Sequence, residues 1–247
     1  MKGKIVVLLL LVVTVSSGPA PLPRLEPKNE PEAIPIQVWD SQMSGCSWYC
    51  GAPLIRVSAT SFLEESNELE HPPRQAHDTL IGTVWSEGAP GIGAGETISF
   101  EFVTTEKDTA DLFVTSCSIA AGHQGSKELF RKNARPKTLQ LLVDGRPSAI
   151  MILKDSMGLQ DFDLPKLSLE RPSNHKIEFK IIDVYPGTEF QDTCITEIRF
   201  GGTGLTYCPD MPKEPSASGD RGDVLFLKLR GTTPVERSNN AQDRKDH

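Results

Sequence analysis

The chain lacks any apolar run long enough to cross a membrane. Its longest, Ile5 to Val13, falls well short of the about 20 residues that span a hydrocarbon core. It also lacks the common catalytic signatures: no G-x-S-x-G elbow, no H-E-x-x-H helix and no glycine loop ending in Lys-Ser/Thr occurs. His77-Asp78 has no nucleophile to serve. Asp161 and Asp163 share a strand face, but no cleft marks them as glycosidase acids. These absences exclude the familiar hydrolase and nucleotide-handling classes, and the chain reads as a non-enzyme. A basic excess is missing too. The formal charge is −7 and the pI about 5.3, which argues against nucleic acid as a partner, because phosphate contact needs a basic face. The one local basic run, KELFRKNARPK at 127–137, has a plainer reading as a solvated loop.

Cysteine is sparse, with five in the chain. Cys46 and Cys50 in C-S-W-Y-C read as a small disulfide clip around Trp48 and Tyr49, with two unpaired thiols as the alternative. No second Cys or His pair has zinc spacing. Cys117, Cys194 and Cys208 cannot all pair internally. Cys194, in the strand-like TCITEI, fits a buried free thiol.

What is present begins with a leader. Residues 1–20, MKGKIVVLLLLVVTVSSGPA, combine a basic start, a short apolar stretch and small residues suited to cleavage. No cysteine follows closely, so there is no lipobox. The expected location is secreted or periplasmic, where disulfides persist. Residues 21–35 are rich in Pro, Glu and Lys and read as an extended linker. Residues 36–203 hold the strands. ETISFEFV (96–103) places Ile98, Phe100 and Phe102 on one face. LFVTSCSI, KTLQLLV, RPSAIMI, LQDFDLP, HKIEFKIIDVY and CITEIRF follow, and Asp144-Gly145 marks a hairpin turn between KTLQLLV and RPSAIMI. Many short alternating strands separated by turns imply an all-β sandwich or barrel. SKELFRKN (126–133) suits a helical turn. Residues 204–247 form a polar tail, expected to be largely disordered, with VLFLKL (224–229) as a candidate edge strand or protein-partner segment. Arg221-Gly222-Asp223 is a three-residue match of the kind that arises by chance.

The loops carry the remaining signals. GAPGIGAGE (88–96) is followed by a strand, not a helix, so its glycines read as backbone freedom and not as a phosphate cradle. Trp85 and Glu87 could pair a stacking face with a carboxylate for sugar hydroxyls, and Trp85 as core is an equal alternative. Asp78 is a candidate Ca²⁺ contact, with turn capping as the plainer reading.

SGCSWYCG at 44–51, Ala76-His77-Asp78, TVWSEGAPGIGAGE at 83–96, LFRKNARPK at 129–137 and VYPGTEFQDTCITEI at 184–198 occur in the order of one family. Together they resemble the NADase-type glycan-binding domain of exported bacterial proteins, a relative of the discoidin and galactose-binding-like sandwiches. The resemblance spans roughly 45–201. It implies a jelly-roll β-sandwich that binds a glycan or cell-surface polysaccharide without catalysis. Loop residues Trp85, Glu87, His123, Lys127, Asn133, Arg135, Tyr185 and Asp192 are then the glycan-binding candidates. No cofactor is implied beyond a structural Ca²⁺. The chain departs from the family at Ala121-Gly122-His123, where an aromatic turn is usual. A protein-interaction or envelope-scaffolding module on the same fold is the alternative function.

Overall fold

The computed structural model describes residues 20–34, 54–64, 70–104, 112–169 and 173–203. The leader, the Cys46–Cys50 clip and the tail from 204 lie outside them. The strands are β1 (Arg24–Leu25), β2 (Leu54–Ala59), β3 (Trp85–Ser86), β4 (Thr97–Thr104), β5 (Leu112–Ala121), β6 (Arg135–Val143), β7 (Arg146–Ile152), β8 (Gln160–Leu169), β9 (Ser173–Tyr185) and β10 (Cys194–Thr203). A 3-10 turn covers Pro73–His77, and one short helix, α1, covers Lys127–Lys132.

Two sheets face each other. The larger runs β1-β7-β6-β9-β4-β2 and the smaller β3-β10-β5-β8. Every pairing is antiparallel except β1 with β7. This is the sandwich that the alternating strands imply. Side chains on one face of each strand meet in the middle: Ile98, Phe100 and Phe102 from β4, Leu139 and Leu141 from β6, Ile177, Phe179 and Ile181 from β9, and Cys117, Ile119, Phe162, Ile198 and Phe200 from the smaller sheet are all buried. Phe200 reaches across the core to Phe100 and Phe102, edge to face, with ring centroids 5.0 and 5.2 Å apart. This geometry favours aromatic pairs beyond the area they bury.

The β6–β7 hairpin turns at Asp144 (φ 50°) and Gly145 (φ 74°), the left-handed pair that a two-residue hairpin requires. Cys117 and Cys194 are buried and unpaired. Burial pushes both thiols up, that of Cys194 to about 12.

The proline-rich stretch differs from the linker reading. It is extended, as proline dictates, but it is not free. Residues 23–32 lie against the sandwich, β1 pairs with β7, and Pro31 is buried. Proline composition sets the conformation of a segment but says nothing about what it packs on.

Candidate functional site

The four segments 87–96, 122–134, 153–159 and 186–193 all emerge at one end of the sandwich, beside the start of β4, β6, β8 and β10 and the end of β5, β7 and β9. The motif-bearing loops therefore converge. They are tied to one another through their main chains. Glu87 N donates to Thr193 O (3.2 Å), Gly95 N to Ile181 O (2.8 Å), Thr188 N to Arg131 O (3.0 Å), Phe190 N to Lys132 O (2.9 Å) and Cys194 N to Ala134 O (3.0 Å).

Buried polar side chains complete the ties. The Glu87 carboxylate is fully buried and accepts the backbone N–H of Ala89 (2.8 Å) and of Thr193 (3.2 Å). Burial pushes its carboxyl above the usual range, and the two N–H donors pull against that. Gln124 receives Gly158 N at its side-chain oxygen (2.9 Å), joining the 122–134 and 153–159 loops. Thr196 Oγ1 donates to Gly122 O (2.9 Å). Arg135 grips Asp155 with two nitrogens, at 2.6 and 2.7 Å, and also donates to Asn133 O (3.2 Å) and Pro186 O (3.3 Å). Its guanidinium lies 4.7 Å from the Phe130 ring centroid and 5.8 Å from that of Tyr185. The glycine-rich loop has positive φ at Gly91, Gly93 and Gly95, the backbone freedom its composition implies.

The eight sequence candidates divide. Trp85 is 0% exposed and its indole N–H donates to Ser61 O at 3.0 Å. It offers no face to a ligand, and the core alternative holds for it. Glu87 and Arg135 are buried with their polar heads spent on backbone and on Asp155, so they position loops and do not present themselves. Tyr185 is half-buried and its hydroxyl donates to Leu153 O (2.9 Å). Asn133 is half-buried and its amide donates to Leu129 O (2.9 Å). Lys127 is exposed, and His123 and Asp192 are half-exposed. Burial lowers the His123 pKa, with a smaller contribution from His71, so its ring is neutral at pH 7. Its Nδ1 accepts from Gly125 N at 3.2 Å, which leaves Nε2–H as a donor.

The sequence reading missed the apolar rim. Of the five exposed large hydrophobic residues among those described, Leu80, Ile92, Leu129 and Phe190 all lie at this end. Phe190 is 43% exposed while its backbone is pinned to α1. The signal was a lone Phe inside the polar G-T-E-F-Q-D, with no alternation to draw it inward.

The model of the NAD glycohydrolase translocation F5/8 type C domain matches residues 48–201. The chain belongs to this family. No curated protein matches it. Solved structures that resemble it include a chain of the Streptococcus pneumoniae beta-galactosidase BgaA, with 9% sequence identity and a TM-score of 0.36, covering 59% of this chain and 89% of that one. The match to the translocation domain covers β3 to β9, most of β10 and all four loops just described. No helix among the described residues is long and apolar enough to cross a membrane.

One further cluster of the translocation domain bears on the Ca²⁺ expectation. Asp78 caps its turn, accepting Leu80 N (2.9 Å) and the Thr83 hydroxyl (2.9 Å to each oxygen). Thr83 Oγ1 is also 3.1 Å from Leu80 O. Glu197, fully buried, takes Thr79 N at Oε2 (3.0 Å), while its Oε1 accepts no hydrogen bond. Burial pushes Glu197 well above the usual carboxyl range, and the charge of Asp78 adds to this. His77 Nδ1 lies 3.8 Å from that oxygen but is committed to Ile198 O at 2.7 Å, and burial lowers its pKa. Asp78, Glu197, the Thr83 hydroxyl and Leu80 O are oxygen groups of the type that Ca²⁺ takes. Among the described residues no group of three or more His, Cys, Asp or Glu is placed to hold a metal.

Proposed function

We propose that the chain is an exported, non-catalytic carbohydrate-binding module that engages a glycan or cell-surface polysaccharide at its loop end. The observation that carries this reading is a rigid frame holding an amphipathic rim. Glu87, Gln124 and Arg135 tie the loops together, and the exposed Phe190, flanked by Glu189, Gln191 and Asp192, lies in the loop bonded to α1, which carries the exposed Lys127 and Arg131. An aromatic face stacks on the C–H side of a pyranose, and flanking charges take its hydroxyls. Preorganisation lowers the ordering cost of binding, yet so shallow a rim binds weakly per site and gains from repeated ligands. In this reading residues 1–20 are a cleaved export leader, Cys46 and Cys50 form a disulfide, and Asp78, Thr83, Leu80 O and Glu197 hold a structural Ca²⁺ that braces the loop end.

The test is a glycan array with the exported protein, followed by titration of the best ligand. Phe190→Ala is expected to lower affinity at least about tenfold, the scale of about 1.4 kcal/mol, with thermal stability unchanged. A silent array, or binding unaffected by Phe190→Ala and Lys127→Ala together, removes the reading. The four exposed apolar residues at this end also favour a second reading, a protein-docking module on the same surface. A specific protein partner lost in Phe190→Ala, with silent arrays, selects that one.

A further inference from the structure

The sandwich has one side on which its two sheets both end: β7, next to the two-residue β1, and β8, at the edge of the smaller sheet. Edge strands leave N–H and C=O groups unpaired and invite another extended chain. Residues 23–32 answer both edges. Ile150 N of β7 donates to Pro23 O (2.8 Å), and Arg24 and Leu25 run parallel to Ile150 and Met151. Five residues on, Lys28 N donates to Asp161 O of β8 (2.8 Å). The Asn29 side chain then completes the edge as a strand would, donating to Leu159 O (2.9 Å) and accepting Asp161 N (2.9 Å). Ser156 Oγ donates to Pro31 O (3.3 Å), and Pro31 is buried.

The surface beneath is shaped for this occupant. Gly158 has φ +106°, and a Cβ there would sit 2.0 Å from Glu32 O and 2.9 Å from Glu32 N. Only glycine lets a main chain lie directly on it. Leu25 packs on the main core, and Ile34 packs with Leu159, Ile81 and Ala120. Charges alternate across the contact: Lys28 with Asp163 at 2.9 Å, and Glu30 with Lys154. Both pairs are exposed and contribute little stability, but they set register and direction. The family match begins at residue 48, so this segment lies outside the matched domain while its seat lies within.

We propose that the groove between the β7 edge, the 153–160 loop and the β8 edge is a binding site for an extended peptide, filled in cis by the chain's own residues 23–32. Recognition is by strand addition at β7 and by a side-chain amide at β8, with a pocket for proline and a glycine floor. The proposal does not depend on the glycan reading, because its readout is peptide binding.

The experiment uses a labelled synthetic peptide of residues 21–34 and the full chain. In the variant Leu25→Asp/Asn29→Ala, the cis segment loses its apolar anchor and its amide while the seat is untouched. The wild-type peptide then binds saturably. Binding to the wild-type chain is at least about tenfold weaker, because the cis segment competes at high effective concentration. A scrambled peptide does not bind, and adding Gly158→Ala to the double variant abolishes binding. Hydrogen exchange on the unaltered protein is the independent arm: the Lys28 and Ile150 amides are protected, and Gly158→Ala exposes both. Absence of saturable binding to the double variant, retention of binding with Gly158→Ala, or a Lys28 amide exchanging at the unprotected rate in the wild type overturns the proposal.

Discussion

Trp85, in β3, and Phe190, in the loop before β10, are both aromatic, and one is buried while the other is exposed. The Trp85 ring fills the core and its N–H satisfies Ser61 O. Trp85→Phe removes that donor from a half-buried carbonyl and empties the core space of the larger indole, a change worth about 1–3 kcal/mol. Urea denaturation should show this loss of stability, while any ligand affinity of the folded protein stays as it was. Glu87→Gln is a second separable case. Both Glu87 oxygens accept backbone N–H groups, and an amide presents an NH₂ to one of those donors. The expected cost is again about 1–3 kcal/mol at pH 7, measured the same way, and wild-type stability in Glu87→Gln would show that the carboxylate does not pin the loops. Residue types alone could not separate these roles. A Trp beside a Glu suits a sugar as well as it suits a core and a loop clamp, and the choice depends on loop backbone that no periodicity encodes. Asp78 was legible because its side chain acts two residues away, within its own turn.

At the scale of elements, the long strands were readable because each alternates apolar and polar residues against a single buried face. In β4, Ile98, Phe100 and Phe102 leave no other register. Residues 126–133 suit a helical turn in sequence, and in α1 the Ser126 hydroxyl accepts Leu129 N at 3.1 Å, capping the helix. The two-residue strands β1 and β3 were not readable, since a pair of residues carries no period and the partner edge decides the pairing. The loops depend on Arg135 in a way that also escaped the sequence. Its fork holds Asp155 while reaching the carbonyls of Asn133 and Pro186, so it spans three loops. Lysine keeps the charge but not the fork. Arg135→Lys should lose about 2 kcal/mol and loosen the frame locally. Hydrogen exchange at the Phe190 amide, which bonds to Lys132 O, is expected to quicken more than at amides of β4 or β9. Equal protection in wild type and variant would mean the loops hold without it.

For the whole molecule, the loop end carries a buried carboxyl, Glu197, that burial pushes up and that the backbone N–H groups of Thr79 and Asp78 and the charge of Arg199 pull down. Glu197 is fully buried with an unbonded oxygen, and Asp78 places like charge near it. Removing a carboxylate from water is costly unless a cation or donors meet it. A hard divalent ion held by Asp78, Thr83, Leu80 O and Glu197 would link the turn after Pro73–His77 to β10, and so brace the 3-10 turn against the smaller sheet. Ligand that binds only the folded state raises its stability by mass action, about 2.7 kcal/mol at a hundredfold excess over Kd. Thermal melts in excess CaCl₂ should therefore exceed melts in chelator by several degrees, an effect that MgCl₂ reproduces poorly because Mg²⁺ demands tighter octahedral geometry. Glu197→Gln should abolish the Ca²⁺ increment and, in chelator, match or exceed the wild type, because it removes the buried charge. Thr83→Val should reduce the increment without touching a carboxylate. Identical melting temperatures in chelator and in excess CaCl₂ would mean that this end is held by its hydrogen bonds alone and that Glu197 is carried protonated, as its raised pKa allows.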